Sequence, residues 1–199
     1  MSKEKKVTEA ETSGLSIEQL EREMNRLKHQ RNYRRTLTST ISVLITVAAL
    51  TVLISMLVMP VLQIVGESMT PSITNGEIVV ALKGSGFEKG EIIAFYYNNK
   101  ILVKRVIASA GEWVNIDENG NVFINGTPLN EPYLVEKAYG DTNIELPYQV
   151  PDGKIFVMGD HRATSADSRN TAVGCVSDEQ IVGKVLFRIW PFDKIGMIH

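Results

Sequence analysis

The sequence contains one cysteine, Cys175, and three histidines, His29, His161 and His199. A single cysteine excludes a disulfide within the chain, so the fold must be stabilised by its core. Cys175 lies in AVGCVSDEQIVGKV, a run typical of strand, turn and strand, which favours burial over a nucleophilic role for the thiol. The histidines lack the spacing of zinc ligands, and we expect neither a metal nor another cofactor.

The chain also lacks an excess of either charge, with 21 Lys and Arg against 23 Asp and Glu and a net charge of -2. Proteins that bind nucleic acid usually carry a positive surface, so we expect no nucleic-acid partner. The charges are unevenly distributed, however. Residues 1–35 hold nine basic and six acidic side chains, whereas residues 36–199 hold twelve basic and seventeen acidic ones, so the basic excess lies at the front.

Charged residues and histidine are absent from residues 36–66, and residues 37–59 are mostly Leu, Ile, Val, Met and Ala. A helix needs about 20 such residues to cross a bilayer core. A buried helix of a soluble domain is one alternative, disfavoured because the run is apolar on every face and ends at Pro60. A cleaved signal peptide is another, disfavoured by the long leader and by the lack of a small-x-small site after the run.

Basic side chains crowd one end of this apolar segment, whereas the first basic residue beyond it is Lys83. The crowded residues are Arg26, Lys28, Arg31, Arg34 and Arg35. By the positive-inside rule, the amino terminus is cytoplasmic. The sequence therefore predicts a cytoplasmic segment over residues 1–35, a single transmembrane anchor over residues 36–60 and an extracytoplasmic domain over residues 61–199.

The cytoplasmic segment has apolar residues at helical spacing, namely Ile17, Leu20, Met24 and Leu27. They predict a short amphipathic helix. Such a helix would dock on lipid, pair weakly with another helix, or be solvated and partly frayed.

After Pro60 the sequence consists of short β-branched or aromatic runs between turn residues. The runs are EIVVAL, EIIAFYY, ILVKRVIA, EWVNID, NVFING, KIFVMGD and KVLFRIW. This spacing predicts an all-β domain rather than βαβ units. Residues 118–121 and Asn125-Gly126 have the composition of tight hairpin turns. Residues 128–151 show little alternation, and we expect this segment, here called the excursion, to leave the main sheet.

Ser68, in GESMTPSI, lies eight residues after Pro60 and is the first candidate for chemistry. A serine hydroxyl needs a partner that accepts its proton, and His161 is one candidate. Lys104, in NKILVKRVIAS, is the other. Because Lys104 and Arg105 are neighbours on a strand, one of them must face an apolar side, where burial lowers a lysine pKa by up to ~3–5 units. Taken alone, this stretch fits better with a lysine that extends to solvent at a strand end.

A third polar stretch, GDHRATSADSRN, spans residues 159–170 directly after the apolar run KIFVM. It presents several hydroxyls and a carboxylate, Asp167, that can pair with Arg162 or Arg169. Turns are generally rich in Asp, Ser and Asn, so this composition alone does not distinguish a site from a loop.

In this order behind one anchor, the stretches resemble the type I signal peptidases, which are membrane-anchored serine proteases with a Ser-Lys dyad. GESMTPSI resembles their nucleophile box, NGEIVVALK the strand that follows, KRVIASAGE the box of the general-base lysine, and GDHRATSADSRN the terminal box. The resemblance covers residues 65–198 and points to the bacterial, Gram-positive type. It implies a mainly β, antiparallel catalytic domain of two joined parts, with the excursion in the less catalytic part.

The resemblance also implies a role for each matching residue. Ser68 is the expected nucleophile, with its backbone N–H in the oxyanion hole, and Lys104 is the expected general base. Ser165 would donate a hydrogen bond that orients the lysine amine. Asp167 and Arg169 would form a supporting ion pair.

Three positions depart from the family pattern: His161 and Thr164 stand where Asn is usual, and Ala110 stands where Pro is often found. They affect the expected shape of the cleft rather than the proposed catalytic groups. Gly66 occupies a position where some members carry a serine that helps to hold the oxyanion. We therefore expect backbone amides to hold it here, and Gly66→Ser to be tolerated unless Gly66 needs a positive φ.

The resemblance implies an endopeptidase that removes signal peptides from exported preproteins with small residues before the cut. Its partners would be secretory preproteins and membrane lipid. A self-cleaving repressor shares such a dyad but needs a DNA-binding amino terminus in place of the apolar segment. An anchored partner that only binds exported chains is a second rival, against which the intact Ser68, Lys104 and Ser165 argue.

Overall fold

The structure is a computed structural model in which residues 17–198 are described. The chain divides into two units between Leu53 and Ile54. The side chains of Ile17 and Leu20 lie outside the described set, so the amphipathic pattern of the cytoplasmic segment stays a prediction.

A single helix, α1 (Ile17–Val58), occupies the described part of the chain before the β domain. Its stretch Met24–Val58 is long and apolar enough to cross a membrane, by length and composition. Among the described residues, none of the most apolar window of this helix is buried, so the alternative of a core helix is wrong. Four of its threonine hydroxyls donate to carbonyls four residues earlier, which satisfies them within the helix. These are Thr38, Thr40, Thr46 and Thr51.

The rest of the described chain is a β domain, as predicted. Its strands are β1 (Val61–Gln63), β2 (Ile78–Leu82), β3 (Ile92–Tyr97), β4 (Lys100–Ala108), β5 (Trp113–Ile116), β6 (Val122–Ile124), β7 (Thr127–Pro128), β8 (Tyr148–Gln149), β9 (Lys154–Met158), β10 (Val176–Ser177), β11 (Ile181–Trp190) and β12 (Gly196–Met197). Two 3₁₀ turns, Asp178–Gln180 and Phe192–Lys194, flank β11.

Within residues 17–198 the strands form two sheets in which every pairing is antiparallel. The eight-stranded sheet has the order β1-β2-β11-β3-β4-β9-β10, with β12 paired to β11, and the four-stranded sheet has the order β7-β6-β5-β8. Strand β4, which carries Lys104, therefore lies between β3 and β9. This position in the sheet interior explains why the residues from Lys104 to the end of β4 are buried.

Both predicted hairpin turns are confirmed. Ile116 pairs with Val122 across the first turn, and Ile124 pairs with Thr127 across Asn125-Gly126. Asn125 and Gly126 have φ values of 51° and 78°, as a two-residue type I′ turn requires.

The excursion leaves the main sheet, as predicted. Its ends contribute β7 and β8 to the four-stranded sheet, and no strand occurs between them in the described chain. Part of its apolar surface, including Leu129, Ile144 and Leu146, packs against the core that contains Val114 and Phe156. Two other residues of the excursion, Glu131 and Tyr133, contact Arg162 and Arg105.

Candidate active site

Ser68 lies in a compact turn between β1 and β2, here called the Ser68 turn (residues 66–76). The Thr70 N–H donates to the Glu67 carbonyl at 3.0 Å and the Ile73 N–H to the Met69 carbonyl at 2.9 Å. Met69 and Ile73 are 2% and 0% exposed and belong to the core beneath the turn. Because Met69 and Ile73 anchor the turn in the core, the half-buried Ser68 is held at the surface of a well-packed segment.

Lys104 reaches Ser68 from β4. Its Nζ donates a hydrogen bond to Oγ of Ser68 at 2.7 Å, and the residue is only 3% exposed. Burial is the main cause that lowers the pKa of Lys104 to about 8, with the positive charge of Arg169 acting in the same direction and the charges of Asp167 and Asp160 opposing it. The alternative of a lysine that extends to solvent is therefore wrong, and the amine lies where it can take up the serine proton.

The ring of His161, unlike the Lys104 amine, forms no hydrogen bond with the Ser68 hydroxyl among the described residues. Its backbone N–H donates to the carbonyl of Ser68 at 3.0 Å, while ring atom Nδ1 lies 2.8 Å from Oγ1 of Thr164. The two residues that depart from the family pattern in this stretch thus contact each other. His161 positions the backbone of Ser68, and no hydrogen bond joins its ring to the Ser68 hydroxyl within the described residues.

Asp167 and Arg169 form the predicted ion pair, so Arg169 rather than Arg162 is the partner of Asp167. Nε of Arg169 donates to Oδ1 at 2.8 Å and Nη2 to Oδ2 at 2.9 Å, and both side chains are fully buried. The Gly159 N–H adds a bond to Oδ2 at 2.9 Å. Burial raises the pKa of Asp167, but the Arg169 pair and the Gly159 amide outweigh it and lower the pKa overall, so the carboxylate stays charged.

Ser165 lies close to Ser68 but makes a different contact from the one expected. Its Oγ is buried, and among the described residues it does not form the expected bond to the Lys104 amine. The Ser165 side chain instead lies beside Asp167, whose pKa it helps to lower. A side chain on Gly159 would collide with Oγ of Ser165 and with the carbonyl of Ser68. Gly159 therefore lets these two backbone segments approach each other.

A second buried ion pair, which the sequence analysis missed, lies beside the lysine. Arg105 donates to Asp160 through Nε at 2.9 Å and through Nη2 at 2.7 Å, and the residues are 1% and 2% exposed. The guanidinium carbon lies 3.9 Å from the ring centroid of Tyr133, a cation–π contact with the excursion. The adjacent charges of Lys104 and Arg105 were the available signal, because both cations are buried and each needs its own compensation.

A third buried pair joins Arg162 to Glu131, which belongs to the excursion. Nη2 of Arg162 donates to Oε1 of Glu131, and both side chains have no exposed surface. The Tyr133 hydroxyl donates to the same oxygen at 3.1 Å. The excursion thus inserts an acid and an aromatic ring behind the Ser68 turn, a role that its sequence did not reveal.

A pocket lies beside these groups. It is lined by Thr70 and Pro71 of the Ser68 turn, by Val135 and Glu136 of the excursion, and by His161 and its neighbours. Within the described residues, no group of three or more His, Cys, Asp and Glu side chains is arranged to hold a metal ion. The chemistry that the site offers is proton transfer between a hydroxyl and a buried amine.

Gly66 has a positive φ of 101°. Gly66→Ser was expected to be tolerated only if this position did not need a positive φ, so that expectation is withdrawn. A Cβ would meet no atom within 4 Å, but an L side chain rarely adopts this backbone conformation. We expect Gly66→Ser to lose stability and activity by shifting the Ser68 turn, rather than to be tolerated. Gly76→Ser, at a φ of 85° in the same turn, should cost similar stability with less effect on catalysis. Full activity in Gly66→Ser would contradict this expectation.

Comparisons with known proteins identify the family of the chain. A family model described as "Signal peptidase, peptidase S26" matches residues 37–190. Signal peptidase IB of Staphylococcus aureus (strain COL) is 40% identical over 149 residues, which cover 65% of this chain and 76% of that protein. Signal peptidase I of Bacillus amyloliquefaciens is 37% identical over 141 residues, which cover 65% and 75%.

The chain is also similar to a solved structure, a crystal structure of a signal peptidase I from Enterococcus faecalis V583. That similarity has 29% identity and a TM-score of 0.44, and it covers 50% of this chain and 97% of the other. The family model spans well over half of the sequence. The chain therefore belongs to the signal peptidase family, peptidase S26, and is a serine endopeptidase.

Proposed function

We propose that this protein is a membrane-anchored endopeptidase that cleaves signal peptides from exported preproteins with a dyad of Ser68 and Lys104. The observation that carries the proposal is the 2.7 Å contact between Oγ of Ser68 and Nζ of a lysine that is 3% exposed. A serine hydroxyl is a weak nucleophile until a neighbouring base takes its proton, and a desolvated lysine supplies such a base.

In the first step, neutral Nζ of Lys104 accepts the Ser68 proton as Oγ attacks the carbonyl carbon of the scissile bond. The negative charge moves to the carbonyl oxygen, near the Ser68 N–H, which donates to no other group among the described residues. Collapse of this intermediate transfers a proton from Nζ to the leaving amine and leaves an acyl ester on Ser68. A water molecule, deprotonated by Lys104, then hydrolyses the ester and restores the hydroxyl.

The roles of the supporting groups belong to the same proposal. The Asp167–Arg169 pair holds the Gly159 amide and thereby the segment against which Ser68 and Ser165 pack. Ser165, whose buried Oγ lies beside Asp167, would turn toward the lysine amine when substrate binds. Small residues before the cut are proposed on the strength of the family alone.

The helix of residues 17–58 supports a single-pass anchor with a cytoplasmic amino terminus, because basic residues crowd the amino-terminal side of its apolar stretch, whereas the first basic residue beyond that stretch is Lys83. We retain the proposed divisions of residues 1–35, 36–60 and 61–199. Eight residues separate Pro60 from Ser68, so an extended chain places the serine at most about 30 Å from the end of the anchor. Membrane lipid and tethered preproteins are thus the proposed partners.

The test is incubation of the full chain in lipid vesicles with a secretory preprotein, followed by identification of the new amino terminus. We expect cleavage after a small residue by the wild type and none by Ser68→Ala. Binding of the preprotein without cleavage by the wild type would favour the rival function of a silent anchored partner.

The anchor is expected to contribute position rather than chemistry. A chain that begins at Ile54 keeps the carbonyls of Val58 and Pro60, which accept bonds from Lys83 and Ala81. We expect this chain to cut a short soluble peptide at nearly the full rate. It should process vesicle-bound preprotein much more slowly, because the enzyme is no longer concentrated at the membrane that holds this substrate. Both rates are measured for both chains. An equal loss of the two rates would show that the anchor is needed for folding or catalysis.

A further inference from the structure

Ser72 lies four residues after Ser68, within the same turn, and both its side chain and its backbone accept hydrogen bonds from arginines. Its Oγ accepts a hydrogen bond from Nη2 of Arg105 at 3.1 Å. Its carbonyl accepts one from Nη2 of Arg188 at 2.5 Å. The turn is thus fixed from two different strands, β4 and β11.

Each of these arginines is itself fixed by other partners. Arg105 binds Asp160 through two bonds and donates to the Gly90 carbonyl at 2.5 Å. Nε of Arg188 lies 2.7 Å from Oε2 of Glu77, a residue that is 3% exposed. Because each guanidinium also has a carboxylate partner, Ser72 is held against groups that are themselves restrained.

The bond between Arg105 and Ser72 matters because of where each residue lies in the chain. Arg105 directly follows Lys104 on β4, and Ser72 shares the turn of Ser68. The bond therefore ties the strand that carries the amine to the turn that carries the hydroxyl, in parallel with the contact between Nζ and Oγ. Proton transfer needs those two atoms at hydrogen-bond distance, and a misplacement of about 1 Å can cost about 100-fold in rate.

We propose that Ser72 is a positioning residue that sets the distance between the Ser68 hydroxyl and the Lys104 amine. The inference rests on the proposed function of that dyad. No hydrogen bond joins Ser72 to Lys104 or to the Ser68 hydroxyl among the described residues, so we place its effect in the turn and in Arg105.

The test compares Ser72→Ala and Ser72→Val, which lack the hydroxyl, with Ser72→Thr, which keeps it. We expect kcat to fall by about 10–100-fold in the first two with KM nearly unchanged, and Ser72→Thr to recover most of the loss. The midpoint of the pH–rate profile should stay where it is, because the burial of Lys104 does not change. A loosening that admitted water would instead raise that midpoint.

Ser85→Ala is the matched control, since Oγ of Ser85 donates to the Leu82 carbonyl at 3.0 Å away from the site. It should match the wild type in rate. Arg105 keeps its bonds to Asp160 and Gly90 in Ser72→Ala, so the melting temperatures of the two alanine variants should be similar. Equal kcat in Ser72→Ala and Ser85→Ala, or failure of Ser72→Thr to recover the rate, would overturn the inference.

A second readout separates this inference from the proposed function. Acylation of Ser68 by a small activated ester, mapped by mass spectrometry, reports the alignment of hydroxyl and amine without any preprotein. If the wild type cuts no preprotein but acylates faster than Ser72→Ala, the proposed substrate is wrong and the role of Ser72 stands. If acylation is equally fast in both proteins, the role of Ser72 is refuted whatever the substrate.

Discussion

Lys104→Met should lower the rate of cleavage by about 10²–10⁴-fold, because the Ser68 hydroxyl loses the group that takes its proton. Methionine is unbranched like lysine, is only one atom shorter and suits a site that is 3% exposed, so the fold should be kept. Lys104→Arg is the matched variant that retains a cation but cannot deprotonate, and it should be equally inactive. Adding Ser68→Ala should cost little more, since the two residues act as a unit.

The pH dependence of the wild type follows from the same lysine. Its pKa is lowered to about 8, so at pH 7 about a tenth of the amine is neutral, against about three in ten thousand at a pKa of 10.5. Since only the neutral amine accepts a proton, kcat/KM should rise about tenfold per pH unit below 8 and level off above it. A profile that levels off near pH 6.5 would instead point to a histidine.

His161→Ala is the control that assigns the base. The ring of His161 contacts Thr164, and its backbone N–H, which the substitution keeps, holds the Ser68 carbonyl. The variant should therefore retain much of the activity. A folded but inactive His161→Ala alongside an active Lys104→Met would overturn the assignment of the dyad.

The elements of the β domain and the contact between Ser68 and Lys104 were predicted from two different kinds of signal. Alternation and turn residues are local signals, so the strands and the Asn125-Gly126 turn could be assigned from short windows. The two catalytic candidates are 36 residues apart, and only the order of the motifs brought them together. Their roles remain proposals that the variants above test.

Other contacts could not be predicted, because they depend on the path of the backbone. Nothing in the sequence of the excursion indicated that Glu131 would meet Arg162, 31 residues later, or that the Tyr133 ring would cover Arg105. The positive φ of Gly66 is likewise a property of the folded turn. In each case a buried charge or an unusual backbone angle is set by tertiary packing, which local patterns do not encode.

Breaking the ion pair of Glu131 and Arg162 is expected to cause the largest loss of stability. Both side chains have no exposed surface, and the remaining bonds of Arg162 include one from Nε to the Gly159 carbonyl at 3.1 Å. Glu131→Gln keeps the shape but leaves a guanidinium charge buried without a carboxylate. Breaking a buried pair in this way costs about 3–5 kcal/mol in the free energy of unfolding, a large part of the stability of a domain of this size.

The measurement is urea unfolding of the full chain, with Glu145→Gln as the matched control. Glu145 is exposed, lies in the same excursion and forms no ion pair among the described residues, so its substitution should change stability by less than about 0.5 kcal/mol. The double variant Glu131→Met/Arg162→Met should be more stable than Glu131→Gln, because no charge is then left buried. If Glu131→Gln and Glu145→Gln unfold alike, the pair does not hold the excursion against the Ser68 turn, and the excursion must be fixed by its apolar contacts with the four-stranded sheet.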